Sequence, residues 1–423
     1  MDLKEHFGEL SYEFKNRRFF PNSKNDYALF ALWKDAQPFT ERIREHLHDQ
    51  FKVIADVEVT WSEENFHTNA QRLYENLIPS NLPKDQIVSP HISKIGSRVF
   101  RVFVVRDSNP HYAYCESVSG AIELSNKKVV DCKRLFRSWI SNPYRVHSTN
   151  CIHEFYIQAV LLFGLKAFED IMSGKAYGET EIQKDLEGAN GWKSWNELFG
   201  VLNYCADYLV LRNFEELPSS EDDDIDFLSD NYQRLSSAIN MVQHQDNGTP
   251  YKGRVRVGNT SIPVDIRFVG DGYYDTLWES RMLETKAARD DFYIPRLDHL
   301  FFSLLFHAKV QKDSVKDEYP EKLHALANEL NLDWYNNELL HNDEGIAKAL
   351  SGYYKANGYH YTEPMDPGVG RNMKVITFLP RAESPSNSLS SKSRERLARL
   401  FRLGASLTPS PVKNLIKSIL PLK

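Results

Sequence analysis

Asp224 and Asp226 stand two residues apart where an acidic run, EDDDIDFL, turns apolar. On a β-strand, side chains at this spacing share a face. The two carboxylates would then project together while Ile225 and Phe227 face a core. Carboxylates held that close repel unless a cation sits between them. Mg²⁺ suits such a place, because it takes hard oxygen ligands and keeps positions for phosphate and water. The flanking sequence supplies neighbours for this strand. Tyr208 to Leu211 reads as a strand before it, joined by the turn LPSSED. After it, RVRVGNTSIPVDIRFV reads as a hairpin about Gly258-Asn259, with Asp265 on the returning strand between Val264 and Ile266. Asp224, Asp226 and Asp265 could together hold two metals, one activating an attacking oxygen and one steadying a leaving phosphate.

This ordered set resembles the nucleotidyltransferase superfamily, especially its bacterial nucleotidyltransferase-like family. There a strand ending in Leu-Arg is followed by Asp-Ile-Asp-Leu-Leu. The matching residues are Leu211-Arg212 and Asp224 to Leu228, and the likeness runs from about residue 195 to 285. It implies Mg²⁺, a nucleotide or nucleotide-linked donor, metal on Asp224 and Asp226, and Asp265 completing the site or acting as base. Many superfamily members place Gly-Ser after the first strand to hold the triphosphate, where this chain has Arg212-Asn213. Arg212 could grip phosphate in a forked geometry or serve as a structural ion-pair partner. The DDDID run also looks like the choline-phosphate transferase family of LicD type, which modifies glycans. That leaves the acceptor open; taken with the basic tail of the chain, it points towards a cell-envelope glycan or a lipid-linked acceptor, as in polysaccharide biosynthesis.

The first part of the chain carries a weaker resemblance. YALFALWKDA, a stretch ending in FKVIADVEVTWSEE, and then NAQRLY look like nucleoside diphosphate kinase. Lys34-Asp35-Ala36 follows Trp33 where that family has Lys-Pro-Asp-Ala, and His147-Ser148-Thr149-Asn150 stands where it has His-Gly-Ser-Asp. The resemblance implies a ferredoxin-like domain with Lys34 and His147 in one cleft, Lys34 touching phosphate and His147 as the phosphate carrier. The glutamate that orients the family's histidine is Gln158 here, and a neutral amide cannot stabilise an imidazolium as a carboxylate does. A lone histidine at a strand-to-helix junction also often just helps to cap that helix.

At 423 residues the chain exceeds one comfortable core, so several domains are expected. The reading is an α+β protein. It has an amino-terminal arm (1–24), a ferredoxin-like domain (25–172), a linker (173–191) and a nucleotidyltransferase-fold domain (192–290). A helical extension (291–380) and a basic tail (381–423) follow. A net charge of −6 argues against general nucleic-acid binding. Cys115, Cys132, Cys151 and Cys205 form no CxxC pair and are read as free thiols. With no secretory signal or apolar run of bilayer length, a cytoplasmic location is expected.

The tail is the exception in charge, with eight Lys or Arg against one Glu from Lys392 to Lys423. Val412, Leu415, Ile416, Ile419 and Leu420 fall on one helical face. Such a segment can lie on the anionic inner surface of a membrane, or pack on the protein itself. His299 and His307 are read as satisfied histidines in the core or a cleft. Tyr274, Trp278 and Glu279 read as core, with an acceptor pocket as the alternative. The expected function is a Mg²⁺-dependent nucleotidyltransferase or phospho-substituent transferase. The alternatives are a toxin-like enzyme that modifies protein or tRNA, and a non-catalytic nucleotide-binding scaffold.

Overall fold

The computed structural model describes residues 25–75, 96–116, 122–243, 251–312, 315 and 317–382. The arm before residue 25 and the amphipathic stretch expected over 412–420 lie outside these residues. The described chain mixes helix and strand throughout, an α+β protein.

The first sheet contains β1 (Asp26–Leu32), β2 (Lys52–Thr60), β3 (Val99–Asp107), β6 (Val146–Ser148) and β7 (Glu181–Ile182). Their order is β6-β1-β3-β2-β7, antiparallel except for the β2–β7 pair. The strand-like runs YALFALW, FKVIADVEV and RVFRVFVVRD form β1, β2 and β3. A separate hairpin pairs β4 (Tyr112–Glu116) with β5 (Ile122–Asn126). β1 is buried at every position because both faces of the sheet are covered. Ala28, Phe30 and Leu32 pack under α1 (Thr40–Gln50) and α3 (Lys127–Ser138). Tyr27, Leu29 and Ala31 face the opposite way, towards α2 (Phe66–Glu75) and α4 (Ile152–Phe163). A short helix, α5 (Leu165–Met172), follows α4 directly after Gly164.

The second sheet has the order β10-β11-β12-β9-β8. Its strands are β8 (Tyr208–Val210), β9 (Ile225–Ser229), β10 (Val242–Gln243), β11 (Lys252–Val257) and β12 (Thr260–Phe268). The β11–β12 hairpin closes at Gly258-Asn259 with Val257 opposite Thr260, and Gly258 takes the φ of +60° that such a two-residue turn requires. β9 and β12 run parallel, whereas β8 and β9 are antiparallel. Alternation divides the side chains between two cores. Tyr208, Val210, Ile225, Phe227, Val264 and Ile266 join the core that also holds the first sheet. Helices α4, α6 (Trp195–Cys205) and α7 (Tyr232–Ala238) belong to this shared core. Leu209, Leu211 and Leu228 face the other way.

That second face is covered by the carboxy-terminal helices: α8 (Thr276–Glu284), α9 (Leu297–Val310), α10 (Tyr319–Glu329), α11 (Asp343–Asn357) and α12 (Met373–Ile376). A small hairpin of β13 (Ala287–Arg289) and β14 (Phe292–Ile294) precedes α9. Among the described residues no helix is long and apolar enough to cross a membrane. The four cysteines are free thiols.

The stretch expected as a linker, 173–191, is a docked strap. Within it β7 pairs with β2, and Ile182 and Leu186 are buried. The Asp185 carboxylate accepts hydrogen bonds from Ser62 N (2.9 Å), Ser62 Oγ (2.8 Å), Asn65 Nδ2 (2.9 Å) and Asn69 Nδ2 (2.8 Å). The strap's polar composition resembles a linker because so many of its polar groups bond to the domain beneath.

Candidate functional site

The centre lies on the face of the second sheet that meets the carboxy-terminal helices. In the parallel β9–β12 pair, Asp226 stands directly opposite Asp265. The period-two alternation that sends Ile225, Phe227, Val264 and Ile266 into the shared core turns both aspartates to the other side. Arg267, two residues beyond Asp265, shares that face.

Asp224 departs from the expected arrangement. β9 begins at Ile225, and Asp224 is exposed at the end of the acidic turn. Four consecutive charged residues, Glu221 to Asp224, keep that segment in water until the first buried apolar residue starts the strand. Among the described residues no group of three or more His, Cys, Asp or Glu is arranged to hold a metal.

Both aspartates, Asp226 buried and Asp265 partly so, are gripped by guanidinium groups. Arg212, just after β8, places Nε 3.0 Å from Asp226 Oδ2. Burial alone would weaken the arginine's charge, but the Asp226 carboxylate together with Tyr273, Tyr274 and Tyr319 more than offsets this and raises its pKa well above the usual value. Arg212 thus forms an internal ion pair with Asp226. Arg267 places Nη2 2.7 Å from Asp265 Oδ2 and Nη1 3.0 Å from Asp366 Oδ2. Lys252 Nζ adds a third cation, 3.6 Å from Asp265. Burial, with Asp226 alongside, holds the Asp265 carboxyl above the usual carboxylate range against the pull of Arg267 and Lys252. Asp265 Oδ1 is buried and accepts no hydrogen bond.

Tyr273 joins the two arginines. Its hydroxyl accepts from Arg212 Nη2 at 3.1 Å, and its ring lies 4.3 Å beneath the Arg267 guanidinium. On the far side the same hydroxyl is 2.9 Å from His307 Nδ1, and Gln311 Nε2 donates to the Tyr273 carbonyl at 2.7 Å. Asn213 has a φ of +57° and accepts a hydrogen bond from Lys322 at 3.1 Å.

Several of these residues escaped the sequence reading. Arg267 was within reach, since the alternation in Val264-Asp265-Ile266-Arg267 puts it beside Asp265. Asp366 arrives from 99 residues downstream of Arg267 and carries no local signal. His307 faces this cluster, whereas His299 is tied to Trp278 Nε1 and the Tyr353 hydroxyl, both at 3.1 Å. Tyr274, Trp278 and Glu279 are buried core side chains.

In the first domain, Lys34 is exposed on a 3₁₀ turn, while His147 is buried on β6 opposite Ala31. His147 Nε2 is 3.0 Å from Gln158 Oε1 and 3.4 Å from Glu154 Oε1. Glu154 thus supplies the carboxylate that Gln158 lacks, one helical turn earlier on α4, and Gln158 Nε2 donates to it at 3.1 Å. The Tyr74 ring packs edge-on against the imidazole. This histidine is enclosed, and Lys34 lies out in solvent.

The chain matches no family model, no curated protein and no solved structure.

Proposed function

We propose that the chain is a Mg²⁺-dependent nucleotidyltransferase or phospho-substituent transferase centred on Asp226 and Asp265. One observation carries this reading: two aspartates in register on adjacent parallel strands, one keeping a buried carboxylate oxygen without a donor. An anion in that position is satisfied by a cation. The arginines hold each Oδ2, which orients the carboxylates, and Asp265 keeps its Oδ1 for a ligand. Mg²⁺ is commonly held by one or two carboxylates together with substrate phosphates and water, so this donor set fits it. Asp226 and Asp265 would hold the ion, with Asp224 as the nearest further carboxylate in sequence. When bound, the ion would supply charge stabilisation for phosphoryl or nucleotidyl transfer.

The strand order supports the finer fold reading. β6-β1-β3-β2, with α1 and α3 as its crossovers, is the order of a ferredoxin-like domain. The antiparallel β8–β9 pair followed by parallel β12 is consistent with a nucleotidyltransferase fold. Lys34, exposed to solvent, and Asn213, bonded to Lys322, stay in the proposal as phosphate contacts. His147 has a structural role, since its ring nitrogen is engaged by Gln158 and Glu154. A glycan or lipid-linked acceptor remains part of the proposal, with the basic tail as its link to an anionic membrane.

The test is thermal stabilisation by Mg²⁺ with a panel of nucleoside triphosphates and CDP- or UDP-linked donors. A shift with one donor that is lost in Asp226→Asn/Asp265→Asn supports the assignment and names the donor class. No shift with any donor moves the reading to a non-catalytic scaffold, which the arginine pairing of both aspartates favours.

A further inference from the structure

We propose that Arg212 and Arg267 form a built-in charge lock, so that the centre takes a divalent cation only together with a phosphate-bearing anion. The inference rests on the transferase reading for its nucleotide arm alone. Its basis is the local balance of charge. In direct ion pairs, the carboxylates of Asp226, Asp265 and Asp366 meet the cations of Arg212, Arg267 and Lys252, three against three, and Asp271 adds a further buried carboxylate facing Arg267. Both guanidinium groups and the Asp226 and Asp366 carboxylates are buried, so an unmatched charge there is costly.

The lock cannot simply swing aside. Arg267 is pinned at both ends of its fork by Asp265 and Asp366 and covers the Tyr273 ring. Arg212 is held by Asp226 and by the Tyr273 hydroxyl, which His307 and Gln311 keep in place. A bare divalent ion at Asp226 and Asp265 would add two charges beside three cations that already pair with these carboxylates. A phosphate group brought with the ion restores the balance, and it presents oxygens to the same guanidinium groups. Asp265 Oδ1, buried and without a donor, is the atom left open for that joint ligand.

The experiment measures Mn²⁺ binding to the full chain by electron paramagnetic resonance, with and without a non-hydrolysable nucleoside triphosphate. The wild type is compared with Arg212→Gln, Arg267→Gln and Asp226→Asn/Asp265→Asn. The expected result is that wild type binds Mn²⁺ alone no better than the double aspartate variant. Either arginine variant should tighten binding of Mn²⁺ alone by about tenfold or more, since it leaves one carboxylate unmatched. If neither arginine variant folds, half-exposed Lys252→Gln gives a smaller gain in the same direction. Wild-type binding of Mn²⁺ alone that equals its binding with nucleotide overturns the lock. So does the absence of any gain in all the cation-removing variants. A gain in those variants with no nucleotide binding in any arm keeps the lock and removes the transferase reading.

Discussion

Arg212 Nε lies 3.0 Å from Asp226 Oδ2, and both side chains are less than a tenth exposed. The pair links the end of β8 to the middle of β9 across the face that meets the carboxy-terminal helices. Removing one partner leaves a buried charge alone, which costs about 3–5 kcal/mol. Arg212→Met should therefore lower the unfolding free energy by that amount in urea titrations. Arg212→Met/Asp226→Leu should recover much of the loss, because the isolated charge goes with its partner. A single variant that costs no more than a surface substitution would show that the pair is solvated.

The first sheet holds an acid that disfavours folding at neutral pH. Asp26 and Asp107 face each other on β1 and β3, with Asn126 Nδ2 donating to both at 3.0 Å. Burial raises the Asp26 pKa from 3.8 to about 6, hydrogen bonds from Asn126, Tyr112 and the Tyr27 amide oppose it, and Asp107 adds to the rise. A raised folded-state pKa means that the folded chain binds the proton more tightly than the unfolded one. Stability is then greatest below the unfolded value and falls as pH rises through about 6, by about 3 kcal/mol at 1.36 kcal/mol per unit. Asp26→Asn should be the more stable protein at pH ~7 and lose that advantage near pH ~4. Parallel stability–pH curves for the two proteins would refute the assignment.

At the turn between β12 and α8, the carboxyl groups of Asp271 and Glu279 lie close enough to shift each other's titration. Asp271 accepts from Phe268 N (3.3 Å) and Tyr273 N (2.8 Å), and Glu279 from Gly270 N (2.7 Å) and Tyr274 N (3.0 Å). Burial pushes both carboxyls above the usual range, Glu279 furthest with Asp271 beside it. By the same sign, their contribution is full in acid and is lost as pH rises through the raised values. Glu279→Gln should flatten the decline of stability above the ordinary carboxylate range. It should also cost about 1–3 kcal/mol at every pH, because the amide cannot accept both backbone N–H groups. Denaturant titrations across a pH series measure both effects, and an unchanged slope would show that Glu279 is not the group that titrates there.

Gly272 sits in this turn at φ +78°, and a Cβ there would meet the Glu363 carbonyl. Gly272→Ala should cost about 1–3 kcal/mol from the backbone strain alone, and more if Glu363 cannot retreat. The turn carries Tyr273, so the variant should also weaken nucleotide-dependent stabilisation. A neutral change in melting temperature would mean that the turn is loose.

Asp185 fastens the strap over 173–191. Burial would raise its pKa, but hydrogen bonds from Asn65, Ser62 and Asn69 hold it below the usual carboxylate range. Its stabilising effect is therefore present above the unfolded pKa and lost as pH falls below it. Asp185→Ala should speed limited proteolysis within the strap at neutral pH, and acidification should do the same to the wild type. Equal cleavage rates for variant and wild type would show that the strap is held elsewhere.

Local pattern was enough to read β1, β2, β3 and the hairpin at Gly258-Asn259, because each is set by alternation or by a turn that only certain residues make. It placed Asp226 and Asp265 on strands but set Asp224 on one too, since a period of two does not say where water ends and the sheet begins. Composition could not decide Arg212, whose partner is fixed by how β8 and β9 pair. Asp366 and Tyr273 reach the centre through packing between distant segments. Glu154 was overlooked for a related reason: attention to Gln158 as a substituted position concealed a carboxylate four residues earlier on the same helical face.

α4 packs against β1 on one side and α6 on the other, and only His153 among its twelve residues is less than fully enclosed. The two sheets therefore share a wall. Genes that exchange autonomous modules are cut at junctions such as the strap, but a cut there would strip one apolar side of α4 in one fragment and of α6 in the other. Neither half keeps a complete core without the other, so the two should unfold together rather than in turn.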